Sequence, residues 1–567
     1  MKPSALFAAA LCALLGLVLA AFFVWPLVES VRGAFFDQQG AFTFAYVRAV
    51  FDNPVYLEGF GNSLGVAFFS TLIAALVGIP LALLFARAEF PGRRWLAYLV
   101  PLPLFVPPFV GALGMQRLLG PTGAFNELFI SLGLMSASQP VDWLREGRFG
   151  AVVGLTALHL YPVLYFNLSA SLAAQNPELE RAAELLGANR FRKLWRVTLP
   201  LCAPSLFASL TIIFIASLTE LGVPLLCDYG RVTSVQIFSG LKDIAQNPFV
   251  YALVTLTLFA TLCLYGLSRL LLGRQPDAGA GAKGTARRER RQLSRPLAAA
   301  CTLFALAVLG SASLPNLSVV LLASSRDWYG TVLPSGLTTE HFEAALGHAL
   351  VVPSIANSLR YVLLATALDL LLGFALAWVV VKTTAPGRRL LDALSMLPLL
   401  LPGLVLAFGY LAISREGRPF DFIDPTVDPT ALLVIAYSTR RLPFVVRSTE
   451  AGLLQVGAAV EEAARSLGAS AWRVVRRVTL PLVMPHLLAG GLFAFALSML
   501  EVSDSLVLAQ KQEYFPITKA IYELSQLIGD GRLVAAALGT WAMFLLGTAL
   551  FVARRFAMTR TSAGKTE

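Results

Sequence analysis

The sequence predicts a polytopic α-helical membrane protein, and three observations lead to that class. The chain has 567 residues, of which 57% are hydrophobic and 14% charged, and its mean hydropathy is +0.70. Soluble domains contain about a quarter charged residues, so this composition is typical of burial in lipid. The apolar residues form blocks of about 20 or more, long enough to cross roughly 30 Å of hydrocarbon as a helix. The short alternating segments of barrel strands do not occur in the sequence.

Twelve of these blocks are predicted to span the membrane. They lie near residues 5–28, 62–86, 97–119, 151–173, 203–225, 248–273, 297–323, 358–381, 392–412, 431–449, 486–508 and 533–555. Lys and Arg concentrate in a few of the connecting segments, as the positive-inside rule predicts for cytoplasmic loops. A cytoplasmic N-terminus places every basic segment and the C-terminal tail in the cytoplasm. The net charge of +11 therefore indicates orientation at a lipid surface and not nucleic-acid binding.

Two other readings of these residues are disfavoured. The first block is longer than the 7–15 apolar residues of a secretory signal peptide, so it is predicted to be a span. Five cysteines and four histidines are scattered singly along the chain. Neither a disulfide framework nor a metal site is predicted, because no CxxC pair or ligand spacing occurs.

The chain contains an internal repeat. The motif Pro-Gly-Arg-Arg at 91–94 recurs at 386–389, an offset of 295. Later in each copy the offset becomes 281, because the first copy has a longer loop after its third span. At this offset Val-Thr-Leu-Pro at 197–200 recurs at 478–481. Because each copy has six spans, the copies are predicted to be parallel repeats related by an axis along the membrane normal.

The repeat predicts a first copy at 1–273, a cytoplasmic basic linker at 274–296 and a second copy at 297–567. The linker begins with small, flexible residues and ends in a basic run. The ligand path is expected at the interface between the copies. Asn62 and Asn357 open a span in both copies, and we predict that they are helix N-caps.

Each copy has an unusual loop after its fourth span, at about 174–200 and 455–481. The loops read ERAAELLGAN from Glu180 and EEAARSLGAS from Glu461, and both end in Val-Thr-Leu-Pro. Glu and Ala favour a short helix, which Gly187 and Gly468 would end in the left-handed conformation. A second short amphipathic helix follows each glycine. An ordinary interfacial helix would explain one such loop but not its duplication.

These loops resemble the EAA loop of the permeases of binding-protein-dependent ABC importers. In that family, the loop forms a coupling helix that sits in a cleft of the ATP-binding subunit. The second copy matches the pattern, with Val478 for the commoner isoleucine, whereas the first has Arg181 where the glutamate is expected, with Glu180 beside it as a substitute. The resemblance implies an ATPase-coupling set of Glu180, Ala182, Ala183, Gly187, Glu461, Glu462, Ala463, Ala464 and Gly468. It also implies that the two contacts are unequal.

The resemblance further implies the partners. Two copies of an ABC ATPase are expected at the cytoplasmic face and a solute-binding protein at the outer face, in a bacterial inner membrane. The chain has no GxxxxGK[ST] motif, so ATP and Mg would bind to the partner subunits. We therefore expect no cofactor on this chain, no catalytic residue and no enzyme activity of its own.

Fusion of two copies resembles permeases for ferric iron, thiamine or 2-aminoethylphosphonate, with ferric iron as the first expectation. Glu220 and Glu501 are related by the repeat, and Asp504 follows one turn later. Ionisable residues within spans are costly, so these three are candidates for an acidic lining of the pathway. Alternatively, they bond to Ser, Thr or backbone groups of neighbouring helices, or lie near the outer interface. Arg440 and Arg441 instead favour a phosphorylated anion, which leaves the cargo open.

Two other functions fit part of the pattern. An ion-coupled secondary transporter also has two six-helix halves, but it would lack the duplicated loop. A membrane scaffold or sensor predicts a sizeable soluble domain, and no connecting segment is long enough for one. Asp369 lies within a span opposite the apolar Ala74 of the first copy. It is predicted to be a hydrogen-bonding residue inside the bundle.

Overall fold

The computed structural model describes residues 5–37, 39–105, 107–144, 147–241, 248–272 and 291–563. Most of the predicted linker, residues 274–290, lies outside the described part. The helices of the first copy are α1 (Ala5–Leu19), α2 (Trp25–Phe35), α3 (Ala45–Asp52), α4 (Pro54–Arg87), α5 (Arg93–Leu99), α6 (Pro108–Leu119), α7 (Ala124–Ser131), α8 (Arg148–Ala174), α9 (Pro177–Leu185), α10 (Arg190–Lys193), α11 (Leu199–Leu218), α12 (Gly222–Leu226), α13 (Thr233–Gly240) and α14 (Pro248–Leu272).

The second copy is equally helical. Its helices are α15 (Arg295–Ser324), α16 (Glu340–Gly347), α17 (Val351–Lys382), α18 (Arg388–Met396), α19 (Gly403–Ser414), α20 (Thr430–Gln455), α21 (Ala458–Ser466), α22 (Ala471–Val474), α23 (Leu480–Met499), α24 (Ser503–Leu508), α25 (Ile517–Gln526) and α26 (Gly531–Ala563). In the described part, β1 (Ala88–Glu89) pairs in parallel with β2 (Arg291–Gln292), and β3 (Ser325–Asp327) pairs antiparallel with β4 (Gly336–Leu337).

The described residues contain nine helices that are long and apolar enough to cross a membrane. Two bent helix pairs, Arg93–Leu104 with Pro108–Ser131 and Arg388–Leu400 with Gly403–Ser414, are also long and apolar enough when each pair is taken as one span. The second pair bends by 109°. Its break falls at Pro402, which has no backbone N–H to continue the helix.

The tenth predicted span is α20, a helix of 26 residues. It carries Arg440, Arg441, Arg447 and Glu450, more charge than an ordinary apolar span contains. Arg440 and Arg441 are paired inside the protein, as described below. Helix α20 is not among the nine helices or the two bent pairs above, so its membrane crossing stays a prediction, supported by its length and by its counterpart α8.

The helices pack into two compact units that divide the chain differently from the repeat. The C-terminal unit contains Met1–Val50, Gly240–Leu258 and Thr339–Glu567, and the N-terminal unit contains Phe51–Ser239 and Phe259–Thr338. Thus α1 and α2, which open the first copy, belong to the C-terminal unit. Conversely, α15, which opens the second copy, belongs to the N-terminal unit. The boundaries 1–273 and 297–567 describe the repeat in sequence, and as structural domains they stay a prediction.

In each unit, a glycine at the same repeat position packs against a helix from the start of the other copy. In the C-terminal unit, Gly409 of α19 lies against α2, and a Cβ atom there would be 2.6 Å from the carbonyl oxygen of Pro26. In the N-terminal unit, Gly114 of α6 lies against α15, and a Cβ atom would be 2.5 Å from the backbone nitrogen of Val319. The two glycines are related by the offset of 295. Small residues permit such close backbone approach between membrane helices.

Replacing Gly409 by alanine is expected to lower the stability of the C-terminal unit by about 1–3 kcal/mol, because backbone atoms of α2 must move. Thermal unfolding of the purified protein in detergent measures the change. Gly310→Ala is the matched control, since nothing lies within 4 Å of a Cβ atom at that position of α15. Equal unfolding temperatures for the two variants would contradict the close contact.

The N-cap prediction for Asn62 and Asn357 is wrong. Helix α4 begins earlier, where the side chain of Asn53 accepts a hydrogen bond from a backbone N–H. Asn62 therefore lies inside α4, and its Nδ2 donates to the carbonyl oxygen of Arg231 at 2.9 Å. Asn357 lies inside α17 and donates to the carbonyl oxygen of Glu513 at 2.8 Å. Both side-chain amides therefore bind a backbone carbonyl that is distant in sequence, and neither caps the start of a helix.

Candidate coupling loops and interior charge cluster

The first candidate coupling loop consists of two short helices joined at a glycine. The side chain of Asn176 caps α9 by accepting a hydrogen bond from the backbone N–H of Glu178 at 3.0 Å. The helix ends before Gly187, whose φ of +78° is adopted without strain only by glycine. Asn189 then caps α10 through the backbone N–H of Arg192 at 2.8 Å. Local hydrogen bonds therefore fix both helices and the turn between them.

The second candidate coupling loop has the same form. Helix α21 ends before Gly468, which has a φ of +85°. The Ser470 hydroxyl caps α22 by accepting from the backbone N–H of Arg473 at 3.4 Å. In both loops a π-helical turn follows, at Leu194–Thr198 and Val475–Thr479, and leads into the next long helix. The two-helix form predicted from the sequence is present in both copies.

A buried carboxylate holds the first loop against the end of a long helix. Glu180 is 7% exposed, and its Oε1 accepts hydrogen bonds from Arg87 Nη2 at 2.7 Å and from the Thr198 hydroxyl at 2.8 Å. Arg87 also donates to the Thr198 hydroxyl at 2.6 Å. These contacts join the end of α4, helix α9 and the π-helical turn. Charge-assisted hydrogen bonds of this kind are about twice as strong as neutral ones.

The second loop has the equivalent anchor. Glu461 is 8% exposed, accepts a hydrogen bond from the Thr479 hydroxyl at 3.0 Å and pairs with Lys382 Nζ at 3.1 Å. Lys382 ends α17, just as Arg87 ends α4. The three positions of each anchor are related by the repeat. Glu180 therefore corresponds to Glu461 in both sequence and structure.

The tips of both loops expose large apolar side chains. Leu186 is 88% exposed and Leu467 is 89% exposed, and each directly precedes its glycine. Other large apolar residues on the loops, with their exposed fractions, are Leu179 (48%), Leu185 (90%), Phe191 (70%) and Trp195 (57%) on the first and Val460 (48%) and Trp472 (71%) on the second. Such patches on a rigid support are typical of protein-interaction sites.

The coupling set from the sequence divides into exposed, half-buried and buried residues. Ala182, Ala463 and Glu462 lie on the exposed face, while Glu180 and Glu461 point inward as anchors. Ala183 and Ala464 are half-buried. The exposed Arg181 faces the same side as Glu462 does in its own loop, so the two surfaces differ in charge.

Sequence reasoning missed four residues that complete the anchors, namely Arg87, Thr198, Lys382 and Thr479. The repeat contained a clue, since each cation ends the same span and each threonine precedes Leu-Pro. The cations are separated from their carboxylates by 93 residues in the first copy. Only the packed structure shows that they meet.

Inside the C-terminal unit, the candidate pathway residues form one cluster of four charges, Arg440, Arg441, Glu501 and Asp504. Arg440 Nη1 lies 2.5 Å from Glu501 Oε1 and 3.5 Å from Asp504 Oδ2. Arg441 Nη2 lies 2.5 Å from Glu501 Oε2. The Glu501 and Asp504 side chains are 5% and 0% exposed. We call this group the four-charge cluster.

The corresponding positions of the N-terminal unit carry His159, Leu160, Glu220 and Val223. His159 Nδ1 makes a hydrogen bond with the carbonyl oxygen of Pro103 at 2.8 Å. Glu220 Oε1 accepts from the backbone N–H of Val223 at 3.3 Å. The repeat relation of Glu220 to Glu501 therefore holds in position, but their partners differ.

The family profile for "binding-protein-dependent transport system inner membrane component" matches residues 74–275 and 369–558. The two matches begin 295 residues apart, as the repeat predicts. The chain belongs to this family. It is a multi-pass inner-membrane permease with two fused copies of the family domain, a transport subunit and not an enzyme. Permeases of this family work with a binding protein and an ATPase.

Relatives of this permease include transporters of different cargo. A putative ferric transport system permease protein of Haemophilus influenzae is 26% identical over 518 residues, 87% of this chain and 77% of that protein. The molybdenum transport system permease protein of Escherichia coli is 34% identical over 224 residues, 37% of this chain and 96% of that protein. A bacterial alginate importer of known structure is 20% identical, with a TM-score of 0.38 over 46% of this chain and 93% of that chain.

The interior of the permease holds no evident ion site in its described part. No group of three or more His, Cys, Asp or Glu side chains there is arranged to hold a metal ion. Asp369 accepts a hydrogen bond from the Ser438 hydroxyl at 2.7 Å, so it bonds within the bundle as predicted.

Proposed function

We propose that this permease couples ATP hydrolysis to import through its two candidate coupling loops, each docking one of two ATPase subunits. The observation that carries the proposal is the duplicated arrangement of an exposed apolar tip on a buried ionic anchor. A tip of this kind can fill a cleft in a partner, and the anchor transmits the partner's movement to long helices. ATP and Mg bind to the partner subunits in this scheme, and the chain itself needs no cofactor.

The proposed orientation places both termini and both loops in the cytoplasm. The distribution of Lys and Arg supports it, because the basic segments then share one side of the membrane. The solute-binding protein docks at the opposite face. Cargo passes inward by alternating access as the ATPase subunits close and open.

Ferric iron is the proposed cargo. The ferric relative matches 87% of this chain and therefore both copies, whereas the molybdenum relative matches 37%. A 2-aminoethylphosphonate permease of Salmonella typhimurium, 26% identical, matches 46%. Coverage of both copies thus favours the ferric relative over the molybdenum and 2-aminoethylphosphonate relatives, whose matches cover less than half of this chain.

Transport by the reconstituted complex tests this assignment. Proteoliposomes containing the permease, its ATPase and its binding protein are expected to accumulate radioactive ferric iron only when ATP is supplied. Molybdate, thiamine and 2-aminoethylphosphonate serve as competing cargoes in the same assay. ATP-driven uptake of one of these, without iron uptake, would show that the cargo assignment is wrong and that the importer assignment is right. Uptake driven by an ion gradient without ATP would instead indicate a secondary transporter.

A further inference from the structure

The formal charges of the four-charge cluster balance one another. It contains two guanidinium groups and two carboxylates, and each carboxylate has a cation within 3.5 Å. Burying a charge is costly unless an opposite charge is near, so the mutual pairing explains how these residues are tolerated in a span. In formal charge, the cluster has no excess of either sign.

The cluster lies where two helical spans are broken. Glu501 sits in the gap between α23 and α24, and its carbonyl oxygen accepts hydrogen bonds from the hydroxyls of Ser505 at 2.6 Å and Thr518 at 2.8 Å. Arg441 also donates to the carbonyl oxygen of Leu497, in the last turn of α23, at 3.2 Å. The ion pairs therefore tie α20 to the break in the fifth span of this copy.

Arg440 reaches a second break from the same position. Its guanidinium fills the space beside Gly403, where a Cβ atom would overlap it. Gly403 is the first residue of α19, directly after the 109° bend of the third span. A cation at a helix N-terminus is unfavourable on its own, because the helix dipole is positive there. The carboxylates of Glu501 and Asp504 offset that repulsion, so one side chain connects both breaks.

The N-terminal unit makes corresponding connections with much less charge. His159, the counterpart of Arg440, bonds to Pro103, which precedes the break before α6. Glu220, the counterpart of Glu501, accepts from the backbone of α12, and its carbonyl oxygen accepts from the Ser234 hydroxyl at 2.7 Å. The same chain therefore contains a second version of this arrangement that needs no arginine.

We propose that the four-charge cluster is a positioning clamp that fixes the two broken spans of the C-terminal unit to α20, and that it does not bind cargo. The cluster holds the backbone at the two breaks against α20, so that these segments move as one body. The clamp itself follows from geometry and charge. Only the uptake measurement below rests on the proposed importer function.

Two variants test the clamp. Glu501→Gln leaves both arginines without their shared partner, and its unfolding temperature in detergent is expected to fall by on the order of 10 °C. The triple variant Arg440→His, Arg441→Leu and Asp504→Val installs the residue set of the N-terminal unit around Glu501. It is expected to unfold within about 3 °C of the native protein and to keep at least about half of the uptake rate.

The outcomes separate the clamp from a cargo site. A triple variant that is as stable as the native protein but has lost uptake would overturn the proposal, because cargo would then require the charges. A triple variant no more stable than Glu501→Gln would also overturn the proposal, because the residue set of the N-terminal unit would then fail to replace the clamp. The unfolding measurements do not depend on cargo, so failure of the ferric assignment would leave them unaffected.

Discussion

Replacing Leu186 and Leu467 together by aspartate is expected to abolish association with the ATPase subunits while the permease stays folded. Both side chains are almost fully exposed at the tips of the candidate coupling loops. Burial of a leucine contributes about 1.5–3 kcal/mol, and an aspartate there would also have to lose its hydration. The double variant should weaken association by at least about 100-fold. Co-purification of a tagged ATPase with the permease measures the loss.

Ile528→Asp is the matched control for this experiment. Ile528 is also fully exposed, but it lies between α25 and α26, on a segment predicted to face outside. Its replacement should leave ATPase association unchanged. If Ile528→Asp weakened association as much as the leucine variants, exposed apolar residues in general would be responsible, and the loops would lose their assigned role.

The single variants should differ from one another. The first loop retains exposed Phe191 and Trp195 when Leu186 is changed, whereas the second retains chiefly Trp472 when Leu467 is changed. Leu467→Asp is therefore expected to reduce association more than Leu186→Asp. Equal losses would indicate that only the tip leucines contribute to the two contacts.

Glu461→Gln is expected to uncouple ATP hydrolysis from uptake. The amide cannot balance the charge of Lys382, whose side chain is only 17% exposed. Leaving one partner of a buried pair without its counter-charge costs about 3–5 kcal/mol, with the lower value fitting this partly exposed pair. We expect uptake to fall about 10-fold as the loop loses its fixed position, a loss of little more than 1 kcal/mol in coupling. Uptake and ATPase rates measured on the same proteoliposomes give the ratio.

The adjacent Glu462 provides the control, because it has the same side chain but lies exposed. Glu462→Gln should leave the unfolding temperature unchanged even if docking is weakened. Lys382→Met combined with Glu461→Leu should recover much of the lost stability, since an apolar pair can replace a buried ion pair. A Glu461→Gln protein with native stability and coupling would show that the anchor is dispensable.

The features that local sequence decides were predicted correctly. Helix propensity and the left-handed preference of Gly187 and Gly468 are properties of a few adjacent residues, so the two-helix loops could be inferred. The repeat was visible because the copies share spacing. The start of α4 was misplaced for a related reason, since the N-cap at Asn53 lies outside the apolar block that marked the span.

What the sequence could not provide was the pairing of distant residues. The charges of Arg440, Arg441 and Glu501 pointed to cargo of opposite signs when each was considered alone. Their mutual contacts, between positions 60 residues apart, remove that contradiction. Likewise, nothing in the composition of α2 or α15 indicates which copy each helix packs against. Such assignments depend on close packing at single positions, such as Gly114 and Gly409.

The placement of the opening helices has a consequence for synthesis. The Tyr410 hydroxyl donates to the carbonyl oxygen of Phe22, closing a separation of 388 residues. At roughly 5–20 residues per second, the ribosome makes α19 about 20–80 s after α2 has emerged. During that interval α2 lies in the lipid without α19, the helix that it packs against in the folded protein. If the two copies were made as separate chains, they would have to exchange α2 and α15. One continuous chain supplies both helices in equal number.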